Sequence, residues 1–166
     1  MSKKKLFDFS IGFLGVAVSH LDAYKSSQVD IKEKKALREK EKEFREILQN
    51  ITRQEIEGAG LGNQFPTAKP VCLFILQYFS SEKDYNRRDL DNIAKSILDS
   101  FKGVVFKSDA QVKTLLISKK LKDERVDKNF LFVAGKEHNQ GYERFVKEAG
   151  IERVYNAFQE IKKVQE

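Results

Sequence analysis

Three aspartates and one lysine carry the chemistry that this sequence offers. Asp89 and Asp91 stand two residues apart at the start of a predicted helix, and Asp109 follows in a later loop. On an extended segment, the side chains of residues i and i+2 point to the same side and lie about 7 Å apart. The carboxylates of Asp89 and Asp91 can therefore face the same point in space. Converging carboxylates repel unless a cation joins them, and Mg²⁺ prefers oxygen ligands. The pattern indicates a Mg²⁺ site that assists phosphodiester hydrolysis, where Lys95 neutralises charge on the phosphate.

A purely structural role accounts for part of the same pattern. Asp91 can serve as a helix N-cap. Asp91, Lys95 and Asp99 recur at i, i+4 and i+8, which predicts an ion-paired, solvent-exposed ridge. The opposite side of the helix is apolar and carries Ile93, Ile97 and Phe101. This interpretation does not explain Asp109, and the spacing alone leaves both interpretations open.

The elements that must position these residues are strands and helices in mixed order. Apolar runs of β-forming residues predict strands at 5–13, 70–79, 110–120 and 130–135. Good helix formers and helical spacing predict helices at 30–51 and 91–101. The first helix has an apolar stripe of Leu37, Phe44, Leu48 and Ile51, and Gly103 ends the second. The segments 15–30 and 80–88 are expected to be exposed connections, and the last two strands are expected to pair as a hairpin.

These elements predict a single α+β domain. Its centre is a small mixed or antiparallel sheet with helices packed on it, formed by residues 1–134. Residues 135–166 read as two amphipathic helical pieces broken near Gly150, and they form a helical C-terminal extension of the same domain.

The overall charge indicates which classes of binding partner to expect. A net charge of +6 favours a polyanionic partner such as nucleic acid. The apolar runs are too short to span a bilayer, so no membrane partner is expected. The single Cys72 excludes an internal disulfide, and His20 and His138 have no zinc-ligand spacing with it. We expect a cytoplasmic protein.

The stretch RDLDNIAKSILDSFKGVVFKSDAQV resembles the core motif of the RusA-type Holliday-junction resolvases. That motif combines D-x-D-N, a lysine, an L/F-D pair, a glycine and a D-D-[AS]-Q-[VI] turn. The residues in register are Asp89, Asp91, Asn92, Lys95, Asp99, Gly103, Asp109, Gln111 and Val112. The order of the upstream elements is also compatible, so the resemblance extends over about residues 5–134.

The resemblance implies a Mg²⁺-dependent homodimeric endonuclease that cuts four-way DNA junctions and uses no small-molecule cofactor. Its metal-binding acids fall on Asp89, Asp91 and Asp109, and its essential lysine falls on Lys95. Phosphate contacts are expected from the basic residues around the motif, namely Arg87, Arg88, Lys102, Lys107, Lys119 and Lys120.

The sequence departs from the family pattern in three places. Ser108 replaces the first residue of the double aspartate, GVAVSH replaces a proline-containing segment, and about thirty C-terminal residues lie beyond the family core. The departures leave room for an alternative, a non-catalytic protein that binds branched DNA and retains the fold. A third interpretation is a scaffold without a DNA ligand, in which the acids only cap and pair.

Overall fold

A computed structural model describes residues 7–18, 31–121 and 128–138 of the chain. In chain order, the regular elements are β1 (Phe9–Leu14), α1 (Ile31–Gly58), β2 (Val71–Phe79), α2 (Glu82–Arg87), α3 (Leu90–Phe101), β3 (Val112–Leu121) and β4 (Phe130–Glu137). A single 3-10 turn, Asp109–Gln111, directly precedes β3. The predicted α+β class is confirmed.

The four strands form one mixed sheet in the order β1-β4-β2-β3. β2 pairs with β3 in parallel, and β4 is antiparallel to both β1 and β2. β2, with the sequence VCLFILQYF, is an inner strand as its long apolar run predicts, and its residues alternate between buried and half-buried along Phe74–Phe79.

The predicted hairpin between the last two strands is wrong, because β2 lies between β3 and β4. β2 and β3 are joined through α2 and α3, and a connection that contains helices returns the chain parallel to the first strand. β2 is also the most apolar strand, so placing it inside the sheet gives both of its edges a partner.

Both long helices pack on one face of this sheet. In the first helix the buried residues are Phe44, Leu48, Thr52 and Ile56, at spacings of four. The stripe continues past the predicted end at Ile51, because the next residue that disfavours a helix is Gly58. Phe9 of β1 meets Phe101 of α3 edge to face, with the ring centroids 5.8 Å apart.

Gly135 of β4 makes the contact with β1 possible. A Cβ at this position would lie 2.4 Å from the Phe9 ring and 3.0 Å from a Leu73 methyl group. The strand therefore needs a residue without a side chain where the aromatic ring crosses it.

The segment 80–88, predicted as an exposed connection, contains the short helix α2. Ser81 caps it by accepting a hydrogen bond from the Asp84 backbone N–H at 3.2 Å. The sequence carried this signal, since a serine followed three residues later by an acid is typical of a helix start. Helix α3 begins one residue earlier than predicted, so its N-cap is Asp89 and not Asp91.

The described strands and helices, from Phe7 to Glu137, form one compact unit. β4 ends at Glu137, three residues beyond the predicted core boundary. The helical extension predicted for 135–166 lies outside the described residues after His138. In the described part of the chain, no helix combines the length and the apolar character that a membrane span needs.

Candidate active site

Helix α3 turns a polar ridge away from the core. Ile93, Ile97 and Phe101 are buried under it, whereas Asp91 and Lys95 are exposed. The i, i+4 spacing predicted this division of the helix into two sides.

The ridge borders a cavity of about 480 Å³. Its polar residues are Asp91, Lys95 and Asp99 from α3 and Asp109 from the 3-10 turn. Two acids and the lysine that the sequence singled out, 18 residues apart at the extremes, thus border one space. Asp99 is a third acid of this cavity; the sequence placed it on the same ridge as Asp91, eight residues further along, but assigned it no part in metal binding.

The other side of the cavity is apolar. Leu90 and Leu98 contribute from α3, and Leu115 and Ile117 contribute from β3. These side chains form the apolar wall of the cavity, whereas Asp91, Lys95 and Asp109 at its rim are exposed to solvent.

Asp89 is not among the residues that line the cavity. The expectation that it points the same way as Asp91 assumed an extended backbone across both residues. Asp89 has extended φ and ψ angles of −86° and 148°, but Asp91 already belongs to the first helical turn. Once the chain turns helical, residues i and i+2 no longer share a side.

The donor set around the cavity consists of carboxylates, which fits a hard divalent cation in kind. Within the described ranges, however, no group of three His, Cys, Asp or Glu side chains is gathered closely enough to hold a metal ion. Lys102 approaches Asp109 instead, with Nζ and Oδ1 4.0 Å apart and both side chains about half exposed. Such an exposed pair adds little stability.

The turn that carries Asp109 is held by its neighbours in sequence. The Ser108 hydroxyl accepts a hydrogen bond from the Ala110 N–H at 3.3 Å and caps the turn. The Gln111 side-chain oxygen accepts from the Lys107 and Ser108 N–H groups, each at 3.0 Å. Ser108, which departs from the family motif, therefore has a structural role in this chain.

Gln111 also ties this turn to the loop before β2. Its amide nitrogen donates to the Thr67 carbonyl at 2.9 Å and to the Lys69 carbonyl at 3.0 Å. The Thr67 hydroxyl donates in turn to the carboxylate of Glu137, which is only 6% exposed and also pairs with Lys69 at 3.1 Å. A side-chain network thus fixes the backbone beside Asp109 to the end of β4.

The basic residues predicted to contact DNA fall into two groups. Arg87, Lys102, Lys107 and Lys120 are exposed. Arg88 is half-buried, and its guanidinium donates to the Ala17 carbonyl at 2.6 Å. Lys119 is also half-buried, and its ammonium donates to two backbone carbonyls. The structure thus directs Arg88 and Lys119 to internal partners, which the sequence did not predict.

Residues 15–18 are not a free surface connection as predicted. Ala17 is 1% exposed, its N–H donates to the Gln77 side chain at 3.1 Å, and the Ser96 hydroxyl of α3 donates to the Val18 carbonyl at 2.5 Å. The segment satisfies polar groups from β2 and α3, and it thereby anchors the site helix.

Comparison with known proteins identifies a family. The family described as "Endodeoxyribonuclease RusA" matches residues 23–127, which is well over half of the chain and includes every residue of the cavity. Comparison with curated proteins gives no match.

Proposed function

This chain belongs to the RusA family of endodeoxyribonucleases, and on that premise we propose that it resolves four-way DNA junctions by Mg²⁺-assisted hydrolysis at the α3 cavity. The family acts on branched DNA. The observation that carries the proposal is that Asp91, Lys95 and Asp109 border one cavity with an apolar wall.

The carboxylates take the metal in this proposal. Asp91 and Asp109 would hold Mg²⁺ at the cavity, and Asp89, at the N-cap, would join them as the third acid of the family motif. When bound, Mg²⁺ supplies positive charge next to the scissile phosphate and thereby stabilises the transition state. A carboxylate set with several open positions is typical of Mg²⁺ sites that also bind substrate phosphate.

Lys95 acts on the substrate directly. Lys95 lines the cavity, and no described residue forms a hydrogen bond or ion pair with its ammonium. It is therefore available to donate to a nonbridging phosphate oxygen, where negative charge grows in the transition state.

The exposed basic residues hold the DNA backbone. Arg87 precedes the site helix, Lys102 follows it, and Lys107 precedes the Asp109 turn, so the three surround the acids along the chain. Lys120, at the end of β3, is exposed on the opposite face of the sheet from Leu115 and Ile117, so a contact with DNA there would lie away from the cavity. Such contacts position DNA without reading its sequence.

A homodimer suits this substrate. A four-way junction has two-fold symmetry and is resolved by a pair of incisions, so two copies related by a two-fold axis would present one active site to each cut strand.

Cleavage of a synthetic four-way junction tests the proposal. The wild-type chain is expected to cut the junction with Mg²⁺ and to stop in EDTA. Asp91→Asn is expected to cut at least about 100-fold more slowly while it still binds the junction, because it removes a ligand charge from the cavity. Glu46→Gln, on the exposed side of α1, serves as the matched control and should cut normally.

The same assay decides the alternative of a non-catalytic binding protein. A wild-type chain that retards the junction on a gel and never cuts it, with Mg²⁺ or Mn²⁺, would replace the proposed nuclease with a branched-DNA binder. The Ser108 substitution and the ungathered carboxylates are the observations that favour this alternative.

A further inference from the structure

The ammonium of Lys119 on β3 makes hydrogen bonds to backbone groups of the protein. Its Nζ donates to the Tyr85 carbonyl at 2.8 Å and to the Arg88 carbonyl at 2.9 Å. The same ammonium lies 4.4 Å from the centroid of the Tyr85 ring, which is a favourable cation–π distance. The ammonium that the sequence predicted to bind a DNA phosphate therefore contacts two backbone carbonyls and one aromatic ring.

The carbonyls that Lys119 contacts lie where α2 ends and where the chain passes into α3. Helix α2 ends at Arg87, helix α3 begins at Leu90, and the link between them is Arg88 with Asp89. Carbonyls at the end of a helix lack intrahelical partners and favour a positive charge. The ammonium thus caps the C-terminal end of α2 and holds the peptide group between Arg88 and Asp89.

The same link is held from the other side through the Arg88 side chain. Its Nη1 donates to the Ala17 carbonyl at 2.6 Å, and the Ala17 N–H donates to the Gln77 side chain at 3.1 Å. Gln77 of β2 is the direct register partner of Lys119 on β3. Hydrogen bonds and strand pairing therefore connect Arg88, the residue before Asp89, with both β2 and β3.

We propose that Lys119 is a positioning residue. It fixes the link between α2 and α3, and it thereby sets the positions of Asp89 and Asp91 at the start of α3. This inference rests on the proposed function, since the acids matter only if they bind metal. A lysine that holds a metal-binding segment acts on the metal and on the rate, whereas a lysine on phosphate acts on DNA affinity and its salt dependence.

Three lysine-to-methionine variants separate these roles. Lys119→Met removes the internal ammonium, Lys107→Met removes an exposed ammonium beside the Asp109 turn, and Lys42→Met is an exposed control on α1 with no assigned role. Each variant is measured for single-turnover cleavage at saturating junction across a Mg²⁺ titration. Junction affinity is measured separately against salt concentration, with Ca²⁺ in place of Mg²⁺.

Lys119→Met is expected to lower the cleavage rate by about 10-fold to 100-fold and to raise the half-saturating Mg²⁺ concentration, with unchanged junction affinity and salt dependence. Lys107→Met is expected to weaken junction binding and to reduce the salt slope by about 1. Lys42→Met should match the wild type in every measurement. The inference is overturned if Lys119→Met cuts with the wild-type rate and Mg²⁺ dependence, or if it behaves like Lys107→Met.

A second variant covers the case in which Lys119→Met does not fold. Lys119→Arg keeps the charge but replaces a compact ammonium with a planar guanidinium, which cannot reproduce the two carbonyl bonds and the ring contact together. A positioning role predicts a slower rate and a higher Mg²⁺ requirement for Lys119→Arg, and a phosphate role predicts wild-type behaviour, which would overturn the inference.

Failure of the proposed function has a different signature. If the wild-type chain does not cut the junction with any divalent metal, the proposed nuclease function is contradicted. The role of Lys119 can then be tested only through metal binding. Binding of Mn²⁺ by electron paramagnetic resonance then decides it, because Lys119→Met should bind Mn²⁺ at least several-fold more weakly, and equal binding overturns it.

Discussion

The side chain of Gln111 is the part of the site whose removal has the most definite consequence. It accepts hydrogen bonds from the N–H groups of Lys107 and Ser108 and donates to the carbonyls of Thr67 and Lys69, all between 2.9 and 3.0 Å. Gln111→Met keeps the length of the side chain and removes all four bonds. Gln111→Glu retains the two acceptor interactions, loses both donor interactions and places a negative charge against two carbonyl oxygens.

The size of the effect follows from the exposure of these groups. A net hydrogen bond contributes about 0.5–1.5 kcal/mol, but the backbone groups around Gln111 are partly exposed, so water replaces much of what is lost. We expect Gln111→Met to lower the free energy of unfolding by roughly 1–2 kcal/mol. The expected effect on cleavage is larger, because a displacement of about 1 Å at a catalytic group costs on the order of 100-fold in rate.

Urea denaturation and single-turnover junction cleavage measure the two effects separately. Gln64→Met, an exposed glutamine in the same loop region, is the matched control and should change neither quantity. If Gln111→Met and Gln111→Glu lose stability but cut at the wild-type rate at saturating Mg²⁺, then Gln111 does not position Asp109, and the reasoning about the turn is refuted.

Three further predictions concern stability and thiol chemistry. Glu137→Ala should lower the free energy of unfolding by about 1–3 kcal/mol in urea denaturation, because the buried Thr67 hydroxyl loses its acceptor; an unchanged midpoint would contradict this role. Burial raises the pKa of the Cys72 thiol above its ordinary value of 9.0, against smaller opposing effects of Thr114 and Lys136. Cys72 should therefore react with a disulfide reagent slowly at pH 8 and rapidly in urea, and its contribution to stability should be lost as the pH rises above about 9; fast reaction of the native protein at pH 8 would contradict it. Ser108→Ala should cost about 1 kcal/mol through the lost cap and Ser108→Asp less than about 0.5 kcal/mol, and equal losses in thermal denaturation would argue against capping.

The local part of the fold could be predicted from the sequence. Helix α3 and its buried side follow from the spacing of Ile93, Ile97 and Phe101, and the inner position of β2 follows from its apolar run. Helix α2 was missed although Ser81 and Asp84 carry a capping signal, because the segment is short and polar and has no buried residue.

The pairing of the strands could not be predicted in the same way. β3 and β4 follow each other in sequence with a charged connection, which is typical of a hairpin, yet they flank β2 on opposite sides. Strand order depends on which edges gain most from burial across the whole sheet, and this is a non-local property that spacing does not record.

The sequence indicated the residue types of the candidate site, but it did not indicate the direction in which their side chains point. Asp91, Lys95 and Asp109 have the chemistry that the sequence indicated, and the structure places them at one cavity. Whether a lysine or arginine points to solvent depends on the carbonyls that it meets, as Arg88 meets Ala17 and Lys119 meets Tyr85. Those partners are 31 to 71 residues away or on another element, so a sequence pattern around the motif cannot reveal them.

The central claim is that the acids of the α3 cavity share a divalent metal ion. Paramagnetic broadening of backbone amide signals by substoichiometric Mn²⁺, in a nitrogen-15-labelled sample of the full chain, tests it most directly. The account predicts that the amides of Asp89, Asp91, Lys95 and Asp109 broaden first and together, and that excess Mg²⁺ restores them. Broadening that begins at the acidic residues of α1, or that affects Asp91 without Asp109, would contradict the account.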